Sequence, residues 1–370
     1  MSLVDMYGSS IGLTGVQDSA TVNQHLIVSP DEGVLVKAVV YEAPGHVNLQ
    51  ERAKPQRLTP TDVLVRIVAC GLCGTDQRAI SDPPLMSCDP GRTIGHEISA
   101  VVVEADALGV LSVGEGVVVA PNYPCLLCQS CRRGLINLCD DFKHVGSGVD
   151  GGLAEYLVVP AEFLHVVPAG LDLALAALAE PLACVLNGTN RAQWNPGDPV
   201  VILGAGPIGL LFLIMAKLSG AGPIIVSEPG VNRASRAKAL GADAVVDPRD
   251  ETHLQRIIDL TGGARVVVDT LGTLLATAVA VAGKRGQILV FGIDETATIP
   301  IKPSLIVAKE LTIEGVYISR GTFPAALNLL ARNQDLFAHV VSDRIDLAQW
   351  QTAKTMLLSN GAAGKILITA

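Results

Sequence analysis

Short apolar segments separated by glycine and proline fill the chain from residue 34 to residue 172. Each segment has four to seven residues and is rich in valine and isoleucine, which is typical of β-strands. The pattern therefore predicts an antiparallel β domain. Its predicted strands are Val34–Val40, Val63–Val68, Ile98–Val103, Val117–Ala120 and Tyr156–Val159.

After residue 199 the pattern changes to apolar strands that alternate with longer helical segments. Such alternation is typical of βαβ units and of a parallel sheet. The predicted strands are Val200–Leu203, Ile224–Glu228, Ala244–Val246, Val266–Thr270 and Gln287–Gly292. The predicted helices are Ile208–Ser219, Arg233–Leu240, Thr252–Thr261 and Leu274–Lys284.

The two ends of the chain have patterns of their own. Residues 1–33 are rich in Ser, Gly, Thr and Asp and show no periodicity, so we expect a flexible extension there. Residues 323–370 show two amphipathic helical stretches and end in a predicted strand, Lys365–Thr369.

Composition limits the classes of protein that the chain can belong to. Its 370 residues suggest about two domains, and with 49% apolar and 17% charged residues disorder over the whole length is excluded. The net charge of −9 argues against a nucleic-acid-binding face. No apolar run reaches the ~18–20 residues of a membrane helix, and no basic residue precedes Lys37 as a secretory signal requires. We therefore expect a cytoplasmic protein.

A glycine-rich turn follows the predicted strand Val200–Leu203 and opens an apolar helix. Gly204 permits a tight bend, Gly206 lets the backbone approach a pyrophosphate, and Gly209 lets the helix pack on the strand. Glycine-rich turns are common, so an ordinary βα connection is the alternative. The acid that ends the second strand, Glu228, follows at about the twenty-residue distance where a carboxylate binds adenosine ribose hydroxyls. Strand, turn, helix and acid together predict a dinucleotide site.

Glu228 also bears on the choice of cofactor. A carboxylate at this position accepts hydrogen bonds from both ribose hydroxyls and repels a 2′-phosphate, so we expect NAD rather than NADP. Arg233, five residues later, complicates this expectation, because its guanidinium would either cover the adenine or attract that phosphate.

Four of the eight cysteines lie within a fifteen-residue window, at Cys125, Cys128, Cys131 and Cys139. In a cytoplasmic chain such clustering indicates a metal site rather than a disulfide framework. Four thiolates in one loop suit a structural zinc ion, which would order the loop and not react. Free thiols and an iron–sulfur cluster are the alternatives; free thiols would be sensitive to oxidation, and the cluster is less usual at this spacing.

A second, open metal site is our interpretation of four residues scattered along the chain: Cys73, His96, Glu97 and Glu180. Each of them alone is an everyday residue. Sulfur, nitrogen and oxygen ligands that leave one position for water are what a catalytic zinc requires. Their order along the chain, rather than any single residue, supports the interpretation.

These residues together resemble the zinc-dependent medium-chain dehydrogenases, in the branch of sorbitol, threonine and butanediol dehydrogenases. The resemblance extends from about Val36 to Ala370. The motifs on which it rests are Gly71-Leu72-Cys73-Gly74-Thr75-Asp76, Gly95-His96-Glu97, the four-cysteine lobe, Gly151-Gly152-Leu153-Ala154-Glu155-Tyr156, Glu180-Pro181-Leu182 and Gly204–Gly209.

The resemblance implies an α/β protein with a GroES-like, β-rich catalytic domain and a Rossmann domain, a doubly wound parallel sheet. The active site would lie in the cleft between them. The catalytic domain would comprise residues 34–186 and 323–370, with a structural zinc lobe at 121–142, and the Rossmann domain would comprise residues 187–322. A homo-oligomer, either a tetramer or a dimer, is also implied.

The resemblance also implies roles for individual residues. Cys73, His96 and Glu97 stand where the family has its catalytic-zinc ligands. Glu180 stands where this branch has a glutamate that binds the metal or its water, and which of Glu97 and Glu180 is the direct ligand stays open. Thr75 matches the hydroxyl that passes on the substrate's proton. The positions that match cofactor contacts are Gly204, Gly206, Pro207, Ile208, Gly209, Glu228, Arg233, Phe291, Gly292, Ile293, Val316 and Tyr317.

One position in the proton relay departs from the family. Many relatives have a histidine two residues after the Thr-Asp pair, where this chain has Arg78. That histidine finishes the relay to solvent, and arginine does not exchange protons near neutral pH. Either the relay ends in water or the cofactor ribose, or Arg78 holds an anionic group such as a phosphate or carboxylate. A solvated surface arginine is the third alternative.

The implied activity is the reversible, NAD-linked oxidation of a secondary alcohol to a ketone, with two zinc ions per chain. Glu180, where simple-alcohol dehydrogenases have cysteine, indicates a polyol, diol, hydroxy amino acid or sugar derivative. The alternatives are a zinc-stabilised binding module, a zinc-free quinone-type reductase, and an inactive relative that senses NAD. The glycine-rich turn argues against the first, and the ligand set against the second. Arg78 alone favours the third.

Overall fold

A computed structural model describes residues 33–359 and 361–370. The flexible extension expected for residues 1–33 lies outside the described residues, except for Gly33. Within the described ranges, no helix is both long enough and apolar enough to cross a membrane.

The first part of the described chain is rich in strands, as its short apolar segments predict. Its strands are β1 (Leu35–Ala43), β2 (His46–Ala53), β3 (Asp62–Gly71), β4 (Arg92–Thr93), β5 (Glu97–Glu104), β6 (Gly116–Val119), β7 (Asn122–Tyr123), β8 (Lys143–His144), β9 (Tyr156–Pro160) and β10 (Leu164–Val166). Its helices are α1 (Gly74–Ile80), α2 (Gln129–Arg132), α3 (Leu173–Ala176) and α4 (Ala179–Thr189).

Strands and helices alternate in the next part of the chain. The strands are β11 (Val200–Leu203), β12 (Ile224–Ser227), β13 (Ala244–Val246), β14 (Ala264–Asp269), β15 (Ala282–Val290) and β16 (Thr312–Gly315). The helices are α5 (Pro207–Leu218), α6 (Val231–Ala239), α7 (His253–Thr261), α8 (Leu275–Val281) and α9 (Pro303–Lys309). The last part adds α10 (Phe323–Arg332), α11 (Gln334–Ala338), β17 (Val341–Asp346), α12 (Trp350–Leu358) and β18 (Lys365–Thr369).

The strands from β11 to β16 form one parallel sheet, in the order β13-β12-β11-β14-β15-β16. In this doubly wound order the chain builds outward from β11 in one direction and then in the other. The reversal leaves a crevice at the carboxyl ends of β11 and β14, which is where ligands bind in such sheets. The sheet confirms the predicted α/β class.

The β-rich part contains two larger sheets. One has three strands in the order β2-β1-β4. The other has seven, in the order β10-β6-β5-β3-β18-β17, with β9 also paired to β3. The end of the chain thus returns to the β-rich part, since β18 pairs antiparallel with β3 and places Leu367 opposite Gly71. The buried indole of Trp350 supports this return by donating to the carbonyl of Val47 on β2 (3.0 Å).

A continuous apolar core joins the parallel sheet to the β-rich part through α4. This helix is buried along nearly its whole length and packs against α5 and α10. Leu182 of α4, Phe212 of α5 and Leu330 of α10 belong to one buried cluster. The same cluster reaches Val118 on β6. α4 therefore fixes the parallel sheet relative to the β-rich part.

The structure contains elements that the sequence-based prediction lacks, among them β2, β16, α4 and α9, and two further differences have a clear physical reason. The helix expected over Leu274–Lys284 ends at Val281, because Ala282 pairs with Ala264 of β14 and begins β15. The pattern also fails to predict β17, whose residues are mostly polar and only partly buried. Among the described strands β17 pairs with β18 alone and forms the edge of its sheet, so it has little need of the apolar alternation that identifies a strand.

The glycine-rich turn between β11 and α5 has the conformation that its glycines predict. Gly204 has a φ of 102°, in the left-handed region that favours glycine. A Cβ on Gly209 would collide with the carbonyl oxygen of Gly204, so α5 packs this closely only with glycine there. Gly206, the N-cap of α5, faces open space, with no heavy atom within 4 Å of where its Cβ would be.

We expect Gly209→Ala and Gly206→Ala to differ in stability. Gly209→Ala should lower the free energy of unfolding by about 1–3 kcal/mol, because the added methyl must push α5 away from the turn. Gly206→Ala should change it by less than about 0.5 kcal/mol, because its methyl meets no atom. Urea unfolding followed by circular dichroism measures both variants. Equal midpoints would contradict the packing described for Gly209.

Candidate active site

The predicted cofactor residues lie together at the carboxyl edge of the parallel sheet. The glycine-rich turn follows β11, and Glu228 follows β12. Phe291 follows β15, and Val316 follows β16. Because these strands run parallel, their carboxyl ends meet at one edge. The fold thereby collects residues from distant parts of the sequence along the mouth of the crevice.

Glu228 is buried and fixed against the glycine-rich turn. Its carboxylate accepts hydrogen bonds from the backbone N–H groups of Ala205 (2.8 Å) and Gly230 (2.8 Å). Arg233, on the helix that follows, donates to the carbonyl of Ala362 (3.1 Å) and lies where α6 meets the loop before β18. The structure therefore places the acid at the turn and the arginine at the rim of the same region.

The segments after β15 and β16 run side by side, because Val290 pairs with Gly315. The backbone N–H groups of Phe291 and Gly292 both donate to the carbonyl of Asp269 at the end of β14 (2.9 and 3.1 Å). These bonds hold the 291–293 turn over the centre of the sheet. The predicted cofactor residues that follow β15 thus lie next to those that follow β16.

Three of the four predicted catalytic-zinc ligands converge. One ligand atom each of Cys73, His96 and Glu97 lies within 4.8 Å of the other two. Cys73 precedes α1, and the other two stand at the start of β5. The strands β3 and β5 are antiparallel neighbours with Gly71 opposite Glu97, and this register brings the two motifs together.

Local structure at the start of α1 supports the ligand set. Cys73 is the N-cap of α1, and its backbone N–H donates to Oδ2 of Asp76 (2.9 Å). Oδ1 of Asp76 lies 3.6 Å from Nδ1 of His96. Burial alone would raise the pKa of Asp76, but His96 and the Cys73 amide outweigh it, and the pKa is lowered. The charged carboxylate orients the imidazole, as carboxylates beside metal-binding histidines do.

Thr75 lies beside the same cysteine. Its Oγ1 accepts from the thiol of Cys73 at a distance of 3.6 Å. Thr75 is partly exposed, and its hydroxyl lies beside the ligand set. This position agrees with the proton-passing role that the resemblance implies.

The two carboxylate oxygens of Glu97 have different surroundings. The residue is fully buried, and Oε1 forms an ion pair with Nζ of Lys365 on β18 (2.5 Å). Oε2 is buried without a hydrogen-bond partner among the described residues. A buried oxygen of this kind requires a partner. Since Glu97 lies close to the thiol of Cys73 and the imidazole of His96, a divalent metal ion fits as that partner.

Glu180, the fourth predicted ligand, lies outside this close set. It is buried in the first turn of α4, and its Oε1 accepts from the thiol of Cys184, one turn further on (3.3 Å). Burial raises the pKa of Glu180 to about 6, although the charge of His96 acts in the opposite direction. The geometry thus favours Glu97 as the direct ligand, with Glu180 beside it.

One cavity joins the ligand set to the glycine-rich turn. It has a volume of about 160 Å³, with Cys73 on one side and Gly206 and Ile208 on the other. Arg233 and Lys365 also line it. The ammonium of Lys365 is paired with Glu97, so Arg233 and the N-terminus of α5 are the features that suit this cavity to an anionic group such as a pyrophosphate.

The four clustered cysteines form a second ligand set, separate from the first. Their sulfur atoms lie within 4.8 Å of one another, and none of the chain's cysteines forms a disulfide. Backbone N–H groups of Cys125, Cys128 and Cys131 donate to neighbouring sulfurs of the set (3.2–3.4 Å). The amides of Asp140 and Cys131 lower the pKa of Cys128 to about 7. Thiols supported in this way fit a tetrahedral zinc ion.

Arg78 bridges the cleft between the β-rich part and the parallel sheet. From α1 its guanidinium donates to the carbonyls of Ile293 (3.1 Å) and Leu85 (3.3 Å). It also lies 3.4 Å from Oε1 of Glu295. Both Ile293 and Glu295 belong to the loop after β15. This bridge is a role that none of the sequence-based alternatives for Arg78 includes.

Two residues of the centre are missing from the sequence-based prediction. Asp76 belongs to the Gly-Thr-Asp motif, and its position three residues after Cys73 could have identified it from the sequence. The sequence signal for Lys365 is weaker, because it is only a single lysine at the start of an apolar strand. Its partner Glu97 is 268 residues away in sequence, and only the pairing of β3 with both β5 and β18 brings the two together.

Comparison with known proteins agrees with this geometry. The profile described as an alcohol dehydrogenase GroES-like domain matches residues 59–169, and that of a zinc-binding dehydrogenase matches residues 207–332. The chain is 33% identical to the sorbitol dehydrogenase of Bombyx mori, over 90% of this chain and 97% of that protein. The chain therefore belongs to the zinc-dependent medium-chain alcohol dehydrogenase family.

Two solved structures share the whole fold. One, described as a zinc-binding dehydrogenase of Sinorhizobium meliloti 1021 bound to NADP, has a TM-score of 0.83 and 30% identity, and the match covers 91% of this chain and 100% of that one. A short chain alcohol dehydrogenase from E. coli CFT073, complexed with NADH, has a TM-score of 0.83 and 27% identity over the same shares. The protein is an alcohol dehydrogenase that uses zinc and a nicotinamide cofactor and acts on a small-molecule alcohol.

We expect Gly71→Ala to weaken metal binding at the Cys73, His96 and Glu97 set. A Cβ on Gly71 would collide with Oε2 of Glu97, so the carboxylate must turn away from the other ligands. A displaced ligand of this kind should lower the metal affinity by about 10–100-fold. Gly74→Ala is the matched control, because nothing lies within 4 Å of its Cβ position.

Competition for zinc with a chromophoric chelator measures the affinity of both variants. The four-cysteine lobe serves as an internal reference, since neither substitution is near it. The same zinc affinity in Gly71→Ala as in Gly74→Ala would show that Oε2 of Glu97 is not a ligand.

Proposed function

We propose that the protein oxidises a secondary alcohol to a ketone with NAD as the hydride acceptor and with zinc held by Cys73, His96 and Glu97. The observation that carries this proposal is the convergence of Cys73, His96 and Glu97, with Cys73 lining the same cavity of about 160 Å³ as the glycine-rich turn. Hydride transfer requires the alcohol carbon and the nicotinamide to meet in one space. The cavity brings one residue of the ligand set and the dinucleotide turn into the same space.

The chain's own residues place the reactants and move the proton. When bound, zinc supplies a Lewis acid that lowers the pKa of an alcohol hydroxyl, and the nicotinamide supplies the hydride acceptor. Three protein ligands leave a position for the substrate, and Glu180 stands beside it on α4. Thr75 accepts the hydroxyl proton at Oγ1 and passes its own toward the cleft.

NAD rather than NADP is supported by Glu228. Two backbone amides hold its carboxylate at the end of β12. In that position it accepts hydrogen bonds from ribose hydroxyls and repels the additional phosphate of NADP. A polyol, diol, hydroxy amino acid or sugar derivative as substrate is supported by Glu180 and by the relative that acts on sorbitol.

We further propose two zinc ions per chain, one at the catalytic set and one in the four-cysteine lobe. The return of β18 to β3 supports a catalytic domain of residues 34–186 and 323–370 around a Rossmann domain of residues 187–322. An oligomer, tetramer or dimer, and a cytoplasmic location stay predictions from the sequence.

The test of the proposed function is NADH formation by zinc-loaded protein across polyols, butanediols, L-threonine, inositols, sugars and sugar phosphates. We expect turnover of at least one of these with NAD, and a kcat/KM at least about tenfold lower with NADP, which corresponds to ~1.4 kcal/mol. Cys73→Ser should reduce turnover by more than about 100-fold, because a thiolate ligand is lost, while NADH binding persists, because Glu228 and the glycine-rich turn are unchanged.

Cys88→Ser is the control for this substitution, since Cys88 belongs to neither ligand set. Near-normal turnover of Cys73→Ser would contradict the ligand assignment. Absence of NADH binding in the wild-type protein would contradict the proposed function itself.

Arg78→Gln and Glu295→Gln distinguish the roles of Arg78. If Arg78 bridges the two parts of the protein, we expect both variants to raise the KM for NAD by about two- to fivefold, the size of a partly exposed ion pair. An anion-binding role predicts a raised substrate KM in Arg78→Gln alone. A solvated arginine predicts no change in either variant. Steady-state kinetics with the substrate found above decide between these outcomes.

A further inference from the structure

Asn137 connects the four-cysteine lobe to the segment that follows β16. It is 3% exposed and lies in a single 3-10 turn, Ile136–Leu138, between Cys131 and Cys139. Its Nδ2 donates to the backbone carbonyl of Tyr317 (3.0 Å), 180 residues away in sequence. The lobe thereby contacts the main chain of a predicted cofactor residue.

The same carbonyl is also held by α4. Nδ2 of Asn187 donates to the carbonyls of Tyr317 (3.0 Å) and Ile318 (2.7 Å). Ile318 has a φ of 38°, a conformation that a β-branched residue adopts only where its surroundings impose it. Two buried asparagines from separate parts of the fold therefore impose one backbone conformation at this position.

The lobe has little apolar support of its own. Its regular elements β7, α2 and β8 have two to four residues each, and Leu127 and Leu138 are exposed. The four sulfur atoms are the contact that closes it. A zinc ion there would fix Cys131 and Cys139, and with them the turn that contains Asn137.

We propose that the four-cysteine lobe is a positioning element of the cofactor site and that Asn137 transmits its effect. The inference rests on the proposed function, because it takes Val316 and Tyr317 as contacts of the nicotinamide half of the cofactor. Hydride transfer depends on the distance between the nicotinamide and the alcohol carbon. The lobe holds the carbonyl of Tyr317 in place, so the backbone that borders the nicotinamide stays in the reactive position.

A lobe that only stabilised the fold would not distinguish one half of the cofactor from the other. The two halves lie on opposite sides of β11 in the sheet order, the adenosine half near β12 and the nicotinamide half near β15 and β16. A positioning lobe therefore affects the nicotinamide half and leaves the adenosine half unchanged.

Asn137→Ala tests this difference, because it removes the donor to Tyr317 together with the unpartnered Oδ1 of the same side chain. We expect the Kd of NADH to rise about tenfold, because the free energy of one lost buried hydrogen bond corresponds to a change of about this size. The Kd of ADP-ribose, which lacks the nicotinamide, should stay within about twofold. Leu138→Ala, at an exposed position of the same turn, is the matched control and should change neither value.

Zinc release provides a second measurement, because a cofactor that holds the Tyr317 backbone in place also holds, through Asn137, the lobe that contacts it. In the wild-type protein NADH should slow the loss of zinc from the lobe to a chelator, and ADP-ribose should not. Asn137→Ala should abolish the protection by NADH. Zinc content and thermal unfolding of each variant establish beforehand that the lobe is loaded and folded.

The outcomes separate the inference from the proposed function. Failure of the wild-type protein to bind NADH would contradict the proposed function. Unchanged NADH affinity in Asn137→Ala, or equal losses of NADH and ADP-ribose affinity, would overturn the inference and leave the proposed function intact. If Asn137→Ala does not fold, the release of zinc from the wild-type protein is the deciding experiment. Zinc loss at the same rate with and without NADH would then overturn the inference.

Discussion

Buried charge where β3, β5 and β18 meet is the constraint on which the rest of the structure depends. Glu97 and Lys365 are almost fully shielded from water, and charges in such a place are tolerated only when they are paired and hydrogen-bonded. Their ion pair satisfies one oxygen of Glu97 and leaves the other buried without a partner among the described residues, in a side chain that lies close to Cys73 and His96. A metal ion bound there would give that oxygen a partner, so the register of these strands and the metal site are linked.

Helix α4 extends this constraint to the cofactor side. It presents Glu180 to the metal ligands at its start and Asn187 to the segment after β16 near its end. Between these points it packs against α5, the helix that the glycine-rich turn opens. A single helix thus connects the metal ligands to the segment after β16. Arg78 adds a flexible contact across the same cleft, from α1 to the loop after β15.

Features that depend on neighbouring residues could be predicted from the sequence. The glycine-rich turn and the four-cysteine lobe are of this kind, since spacing alone brings their groups together. The set of Cys73, His96 and Glu97 needed the family resemblance, because its members come from separate segments. Lys365 stayed hidden, since its role arises only from the pairing of three strands. The bridging contact of Arg78 is hidden for a similar reason, because Ile293 and Glu295 lie 215 and 217 residues away in sequence, in the loop after β15.

The position of β18 imposes an order of events on the newly made chain. β3 and β5 are synthesised early, and Glu97 then has no counter-charge until Lys365, 268 residues later, has been added. Contacts of such long sequence separation form late in folding. A chain that ends before β18 therefore contains all three ligands but lacks both the charge that pairs with Glu97 and the strand that pairs with β3 beside them.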